Sequence, residues 1–111
     1  MSSFRNEKLT ELMRVLAAEF MQHESSGASL LTVTRVVVSD DGKYATIFFT
    51  ALPADREATA LEFAKRKRAE FKEFVKAKSR IRMVPFFDFA IDEGEKNRQR
   101  LDDLSREDAE R

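Results

Sequence analysis

The sequence predicts one small α+β domain, and three observations carry that expectation. The chain opens with a helical apolar period, two β-branched runs meet at an Asp-Gly turn, and a basic helical segment passes directly into an alternating strand. At 111 residues the chain is long enough for a single core, and its 42% apolar content with ten phenylalanines argues against disorder. It has no cysteine, which removes disulfide frameworks and thiolate metal sites and points to a reducing compartment. No apolar run reaches membrane-spanning length, and the N-terminus lacks the pattern of a secretion signal. The expectation is a soluble, cytoplasmic protein.

The elements follow in order. Ser2 and Ser3 suit the N-cap of a helix over residues 4–23, in which Leu9, Leu12, Met13, Leu16 and Phe20 share one face. Residues 24–29 break the period and read as a loop. Leu30–Val38 is nearly all β-branched or apolar, the composition of a well-covered strand. Ser39, Asp40, Asp41 and Gly42 form a turn signal, and Tyr44–Leu52 returns as the second strand of an antiparallel hairpin. Pro53 ends it, and Asp55 is placed to cap a helix over about residues 56–67 with Ala58, Leu61 and Ala64 along its buried side. A second stripe, Phe71, Phe74 and Val75, follows. No apolar residue lies between Ala64 and Ala69, which predicts a kink or break across Lys67, Arg68 and Ala69.

The last strand is expected over residues 81–91. Ile81, Met83, Pro85, Phe87, Phe89 and Ile91 fall on one face, and Arg80, Arg82, Val84, Phe86, Asp88 and Ala90 on the other. Pro85 has no N–H for the ladder, which favours an edge position or a later start. Phe87 and Phe89 belong to the core. Phe86 faces the other way, where it can stack on a base or cover a helix, with partial burial expected. Asp88 and Asp92 read as ordinary exposed carboxylates. Leu101 and Leu104 are the expected anchors of a short C-terminal helix, and residues 105–111 read as a polar, mobile tail.

Net charge is zero, but its distribution is uneven. Residues 1–64 hold six basic and nine acidic side chains, a net of −3; residues 65–82 hold nine and two, a net of +7; residues 83–111 hold five and nine, a net of −4. A concentrated block of this kind is the footprint of polyanion binding. On a continuous helix Lys65, Arg68, Lys72 and Lys76 form one stripe, and Arg80 and Arg82 continue it on the polar face of the strand. Such a track neutralises phosphates spaced along a backbone, and arginine adds a bidentate fork. The plainer alternative is a solvated helix face whose lysine stems shield apolar neighbours.

Catalysis finds no support. His23, the one histidine, sits at the polar end of the first helix, where it suits the helix dipole. The three glycines are isolated and form no phosphate loop; Asp40 and Asp41 read as turn chemistry, not a metal site. No nucleophile, base and orienting group can be argued into one site, and no cofactor is expected.

Two motifs resemble the ribosome-binding factor A family. One is Thr32, Val33, Thr34, Val36, Val38, Ser39, Asp41 and Ala45, leading through the hairpin; the other is Arg80, Ile81, Arg82, Pro85, Phe89 and Asp92. The resemblance extends to Leu104 and so spans nearly the whole chain. It implies a KH-like domain of type II over residues 1–104, in the order α-β-β-α-kink-α-β, lacking the Gly-x-x-Gly loop with which KH domains clamp single-stranded RNA. The family replaces that loop with an Ala-x-Gly kink, and the corresponding residues here are Lys67, Arg68 and Ala69. The family's arginine just after the kink corresponds to Lys72.

The resemblance further implies a non-catalytic factor that assists late maturation of the bacterial small (30S) ribosomal subunit. It would bind near the neck and the 5′ end of 16S rRNA and act as a monomer in the cytoplasm. The residues expected to meet RNA are Lys65, Arg66, Lys67, Arg68, Lys72, Lys76, Arg80 and Arg82. The alternatives are a generic KH-like single-stranded nucleic-acid binder and a protein-interaction module with a basic face.

Overall fold

A computed structural model describes residues 2–24, 29–95, 97 and 98. The expected 25–28 loop region, the anchors Leu101 and Leu104 and the tail 105–111 lie outside the described residues, as does the side chain of His23. The elements are α1 (Ser2–Glu24), β1 (Leu30–Val38), β2 (Tyr44–Leu52), α2 (Glu57–Arg66), α3 (Arg68–Lys78) and β3 (Phe86–Ile91), with a 3-10 turn at Ala54–Arg56 before α2. This is the expected α+β order, and both strands of the hairpin have the expected limits.

β2 is the central strand. It pairs antiparallel with β1 and parallel with β3, so α2 and α3 form the crossover that a parallel pair requires. The hairpin turn is built by Asp41, whose Oδ1 accepts from the Ser39 hydroxyl at 2.7 Å and from the Lys43 N–H at 3.0 Å. Gly42 takes φ 73°, the left-handed conformation that glycine enters without steric cost. A bulge interrupts the β1–β2 register between Val33 and Arg35, leaving Thr34 unpaired. The extra residue resets the alternation, so Val33 and Val36, three apart, both turn toward the core.

All three helices pack on one face of the sheet. From α1 come Met13, Leu16, Ala17, Phe20 and Met21; β2 supplies Ala45, Ile47, Phe49 and Ala51; α3 supplies Phe71 and Val75; and β3 supplies Phe87 and Phe89. Phe71 sits at the centre with no exposure, its ring 4.5 Å from Phe87, 5.2 Å from Phe20 and 5.8 Å from Phe89. Aromatic pairs at these separations add to the stabilisation from burial alone.

Two expectations are corrected here. Along α2, Ala60 and Ala64 are buried while Ala58 is exposed. At about 100° per residue, Ala58 lies ~120° round the helix from Ala64, whereas Ala60 shares its face. The last strand starts at Phe86, not Ile81, and residues 79–85 reach it as irregular chain. The cause is Pro85: with no N–H it cannot pair, and the first ladder-side donor is the Phe86 N–H, 2.8 Å from the Lys43 carbonyl oxygen. Pro85 is itself buried, and Ile81 and Val84 pack against the core, while Met83 is 79% exposed.

Candidate nucleic-acid interface

The break expected around Lys67, Arg68 and Ala69 falls at Lys67, which ends α2 and starts α3 with φ −94° and ψ 7°. These angles lie in the bridge region open to any residue, so the chain turns without glycine. The Lys67 N–H bonds back to the Phe63 and Ala64 carbonyls, and its own carbonyl receives the Phe71 N–H at 2.9 Å. The backbone stays satisfied on both sides of the turn. Ala69 lies inside the first turn of α3.

The break divides the expected cationic stripe. Lys65 is on α2, whereas Arg68, Lys72 and Lys76 are on α3. Lys65 and Arg68 nevertheless converge: the Lys65 ammonium lies 3.0 Å from Asp88 Oδ1, and one Arg68 guanidinium nitrogen lies 3.4 Å from the same oxygen. Arg68 Nε also donates to the Lys65 carbonyl at 3.0 Å, which closes the triad. Lys72 comes next along the strand, its ammonium 4.5 Å from the centre of the Phe86 ring. Asp88 and Phe86 point away from the core, on the face opposite the helices, so these three cations reach past the free edge of β3.

Asp88 sets the electrostatics. Partial burial pulls its carboxyl upward, but hydrogen bonds from Lys65 and the Phe89 N–H, with the charges of Lys65 and Arg68, outweigh that and hold it below its ordinary value. Lys65, Arg68 and Asp88 are all about half exposed. Ion pairs in such settings contribute about 0–1 kcal/mol, so a phosphate can displace the carboxylate at little cost.

The other expected residues are more scattered. Lys67 pairs with Glu70 at 3.3 Å and Lys76 with Glu73 at 3.3 Å, each one helical turn along α3. Arg66, Arg80 and Arg82 are exposed and make no ion pair among the described residues. Arg80 and Arg82 stand on the irregular segment before β3, not on the polar face of a strand, because pairing starts only after Pro85.

Asp92 is not an exposed carboxylate; it is buried at 5% exposure. Its Oδ2 accepts from the Thr34 hydroxyl at 2.5 Å and lies 3.4 Å from Arg35 Nε, while its Oδ1 caps the Glu95 N–H at 3.0 Å. The Thr34 hydrogen bond is the main reason its carboxyl titrates below the ordinary value, against the opposing pull of burial, with the Glu95 N–H and Arg35 adding to it. Thr34 belongs to the first sequence motif and Asp92 to the second. The structure joins them at the bulge, tying the end of β3 to β1.

Sequence reasoning missed Tyr44 and Arg35 on the outward face of the sheet, and it placed Phe86 there with more burial than it has. Phe86 is 63% exposed instead of partly buried, and its register partner Tyr44 is 60% exposed. Arg35 lies over the Phe48 ring at 4.1 Å. Strand alternation already separates Tyr44, Thr46 and Phe48 from the buried Ala45, Ile47 and Phe49, so the signal was present as period two.

Comparison with known proteins fits this picture. The ribosome-binding factor A of Thermodesulfovibrio yellowstonii is 28% identical over 105 residues, covering 93% of this chain and 89% of that protein. That of Kineococcus radiotolerans is 30% identical over 112 residues, covering 96% of this chain and 64% of the longer relative. The crystal structure of ribosome-binding factor A from Thermus thermophilus superposes with a TM-score of 0.71 at 24% identity, covering 78% of this chain and 93% of that one. A solution structure of a Thermotoga maritima protein described as a ribosome binding factor A gives a TM-score of 0.65 at 26% identity, covering 79% and 87%. A Thermus thermophilus homology model fitted into the cryo-EM map of a 30S complex gives 0.64 at 25%, covering 71% and 86%. The sequence model of the family described as ribosome-binding factor A matches residues 5–105, so the chain belongs to that family.

Proposed function

We propose that this protein binds the immature small ribosomal subunit and assists late processing and maturation of 16S rRNA, acting without catalysis as a cytoplasmic monomer. The observation that carries the reading is the convergence of Lys65, Arg68 and Lys72 along the free edge of β3. Arg66, Lys67, Lys76, Arg80 and Arg82 extend the positive field around it. Membership of the family supports the target, as does the Thermus thermophilus relative's fit into a 30S complex. The contact would lie near the neck and the 5′ end of 16S rRNA. Mechanically, a cluster held by weak, exposed pairs exchanges Asp88 for phosphate oxygens as the protein docks, and each phosphate bound releases counterions. Binding of that kind grips shape and backbone and is readily reversed when the rRNA changes conformation.

Co-sedimentation of the purified protein with small subunits, large subunits and free rRNA tests this reading. Selective pelleting with small subunits is expected; equal binding to both subunits refutes it. Replacing Lys65, Arg68, Lys72 and Lys76 together by alanine should weaken binding and flatten its salt dependence by roughly 0.7–0.9 in log–log slope for each phosphate no longer neutralised.

A further inference from the structure

The sheet face turned away from the helices carries a pair of aromatic rings that the fold does not need. Tyr44 and Phe86 are direct register partners on β2 and β3, with ring centroids 5.9 Å apart and planes inclined by 33°. Both are more than half exposed, so neither contributes much to the core. The Lys72 ammonium sits 4.5 Å from the Phe86 ring, and Lys65 and Arg68 gather two residues further along β3 at Asp88. Arg35 covers the Phe48 ring on the same face at 4.1 Å.

We propose that Tyr44 and Phe86 form a stacking platform for unpaired RNA bases, with the backbone of that strand following Lys72, Lys65 and Arg68 along the edge of β3. This rests on the RNA-binding reading above and extends it from phosphates to the bases. Two facts favour a nucleic acid over a protein as the occupant. Exposed rings beside a line of cations are the combination that single-stranded RNA meets, since every base has a π face and every linkage a negative charge. Lys72 covers one face of the Phe86 ring, 4.5 Å from its centre, and Lys65 and Arg68 stand two residues along β3 at Asp88, so a base stacked on the open faces of the pair carries its phosphates toward these cations. The turn carboxylates Asp40 and Asp41 stand at the hairpin tip beyond Tyr44, which steers the strand toward the β3 edge instead. Stacking of this kind tolerates any sequence, so it adds affinity for an unpaired segment without reading it.

Tyr44 is the one tyrosine, and the chain has no tryptophan, so intrinsic emission reports on the platform directly. The test titrates the full-length protein with a short oligoadenylate and with an abasic strand of equal length. Oligoadenylate should bind more tightly and quench the tyrosine emission, and the abasic strand should leave the emission unchanged. Phe86→Leu and Tyr44→Leu keep an apolar side chain but remove the π face; each should weaken oligoadenylate binding about tenfold and leave abasic binding and its salt slope unchanged. Retained circular dichroism establishes that these exposed positions do not alter the fold.

Equal affinity for both strands with unquenched emission overturns the platform while leaving the phosphate-binding reading intact. So does binding to the small subunit with no binding to either strand. Leucine variants that bind oligoadenylate normally but pellet poorly with small subunits assign this face, with the exposed Val37 on β1, to a protein contact and overturn the proposal. A wild-type protein that binds neither strand nor subunit ends both readings.

Discussion

Replacing Asp92 by alanine should cost about 2–3 kcal/mol of folding stability. A hydrogen bond to a charged acceptor contributes about 1.5–3 kcal/mol, and a buried donor left without a partner costs a similar amount. Three donors lose Asp92. The Glu95 N–H loses its acceptor at 3.0 Å, but the Thr34 hydroxyl still has the Phe48 carbonyl oxygen 3.2 Å away, which reduces its share. Arg35 is 56% exposed at its side chain and turns to water, so its share is small. Urea unfolding followed by circular dichroism measures the change, and the same loss lowers the melting temperature by about 10–20 °C. Thr34→Val alone should cost about 1 kcal/mol, and the double variant should show a coupling of about 1 kcal/mol because the two side chains share one bond. A loss below about 0.5 kcal/mol for Asp92→Ala, or strict additivity with Thr34→Val, would refute the view that this pairing fastens β3 to β1.

The same carboxylate makes stability fall in acid. Its folded-state pKa lies below the ordinary 3.8, so the unfolded chain binds more protons as pH drops. The contribution is whole above that value and is lost as pH falls through the folded pKa. Asp92→Asn, which cannot titrate, should therefore show a shallower loss of stability below about pH 4. Asp88→Asn should free Lys65 and Arg68 for phosphate, raising rRNA affinity at low salt and steepening the salt dependence by up to roughly one further phosphate, read by filter binding across a salt series. Ala69→Gly should cost about 0.5–1 kcal/mol by urea unfolding, because the turn is at Lys67 and position 69 is helical. Phe71→Ala empties the centre of the core and should cost about 3–5 kcal/mol in the same measurement.

How far the sequence carried differs from element to element. The limits of both hairpin strands were legible to the residue because β-branched runs and an Asp-Gly turn are local signals, but the bulge at Thr34 and the exposure of Leu30 and Val37 on a strand expected to be well covered were not. The break between α2 and α3 was visible as a missing apolar position, although its geometry needed no glycine. The start of β3 was misplaced because alternation continues through Ile81 and Met83, and alternation records side-chain polarity rather than ladder pairing. Pro85 carried the decisive information. Charge spacing overstated the continuity of the stripe: Lys65 and Arg68 were read as neighbours on one helix, but they meet across a break through Asp88, a residue twenty or more positions away. The residue type of Asp92 does not reveal a partner 58 residues distant. Sequence separation hides such pairings, because nothing in the intervening chain records them.

The parallel pairing of β2 with β3 also fixes when the domain can form during synthesis. The hairpin and α1 emerge first, but Ile47 and Phe49 then lie on a two-stranded sheet whose central strand has only one neighbour. A two-stranded sheet is marginal in water. The strand that completes the pairing and supplies Phe87 and Phe89 is made only after both crossover helices. Closing so long a connection must precede its reward, which slows folding and makes it cooperative. A nascent chain stopped after α3 should thus be open to protease, and protection should arrive in a single step once Ile91 and Asp92 have cleared the tunnel.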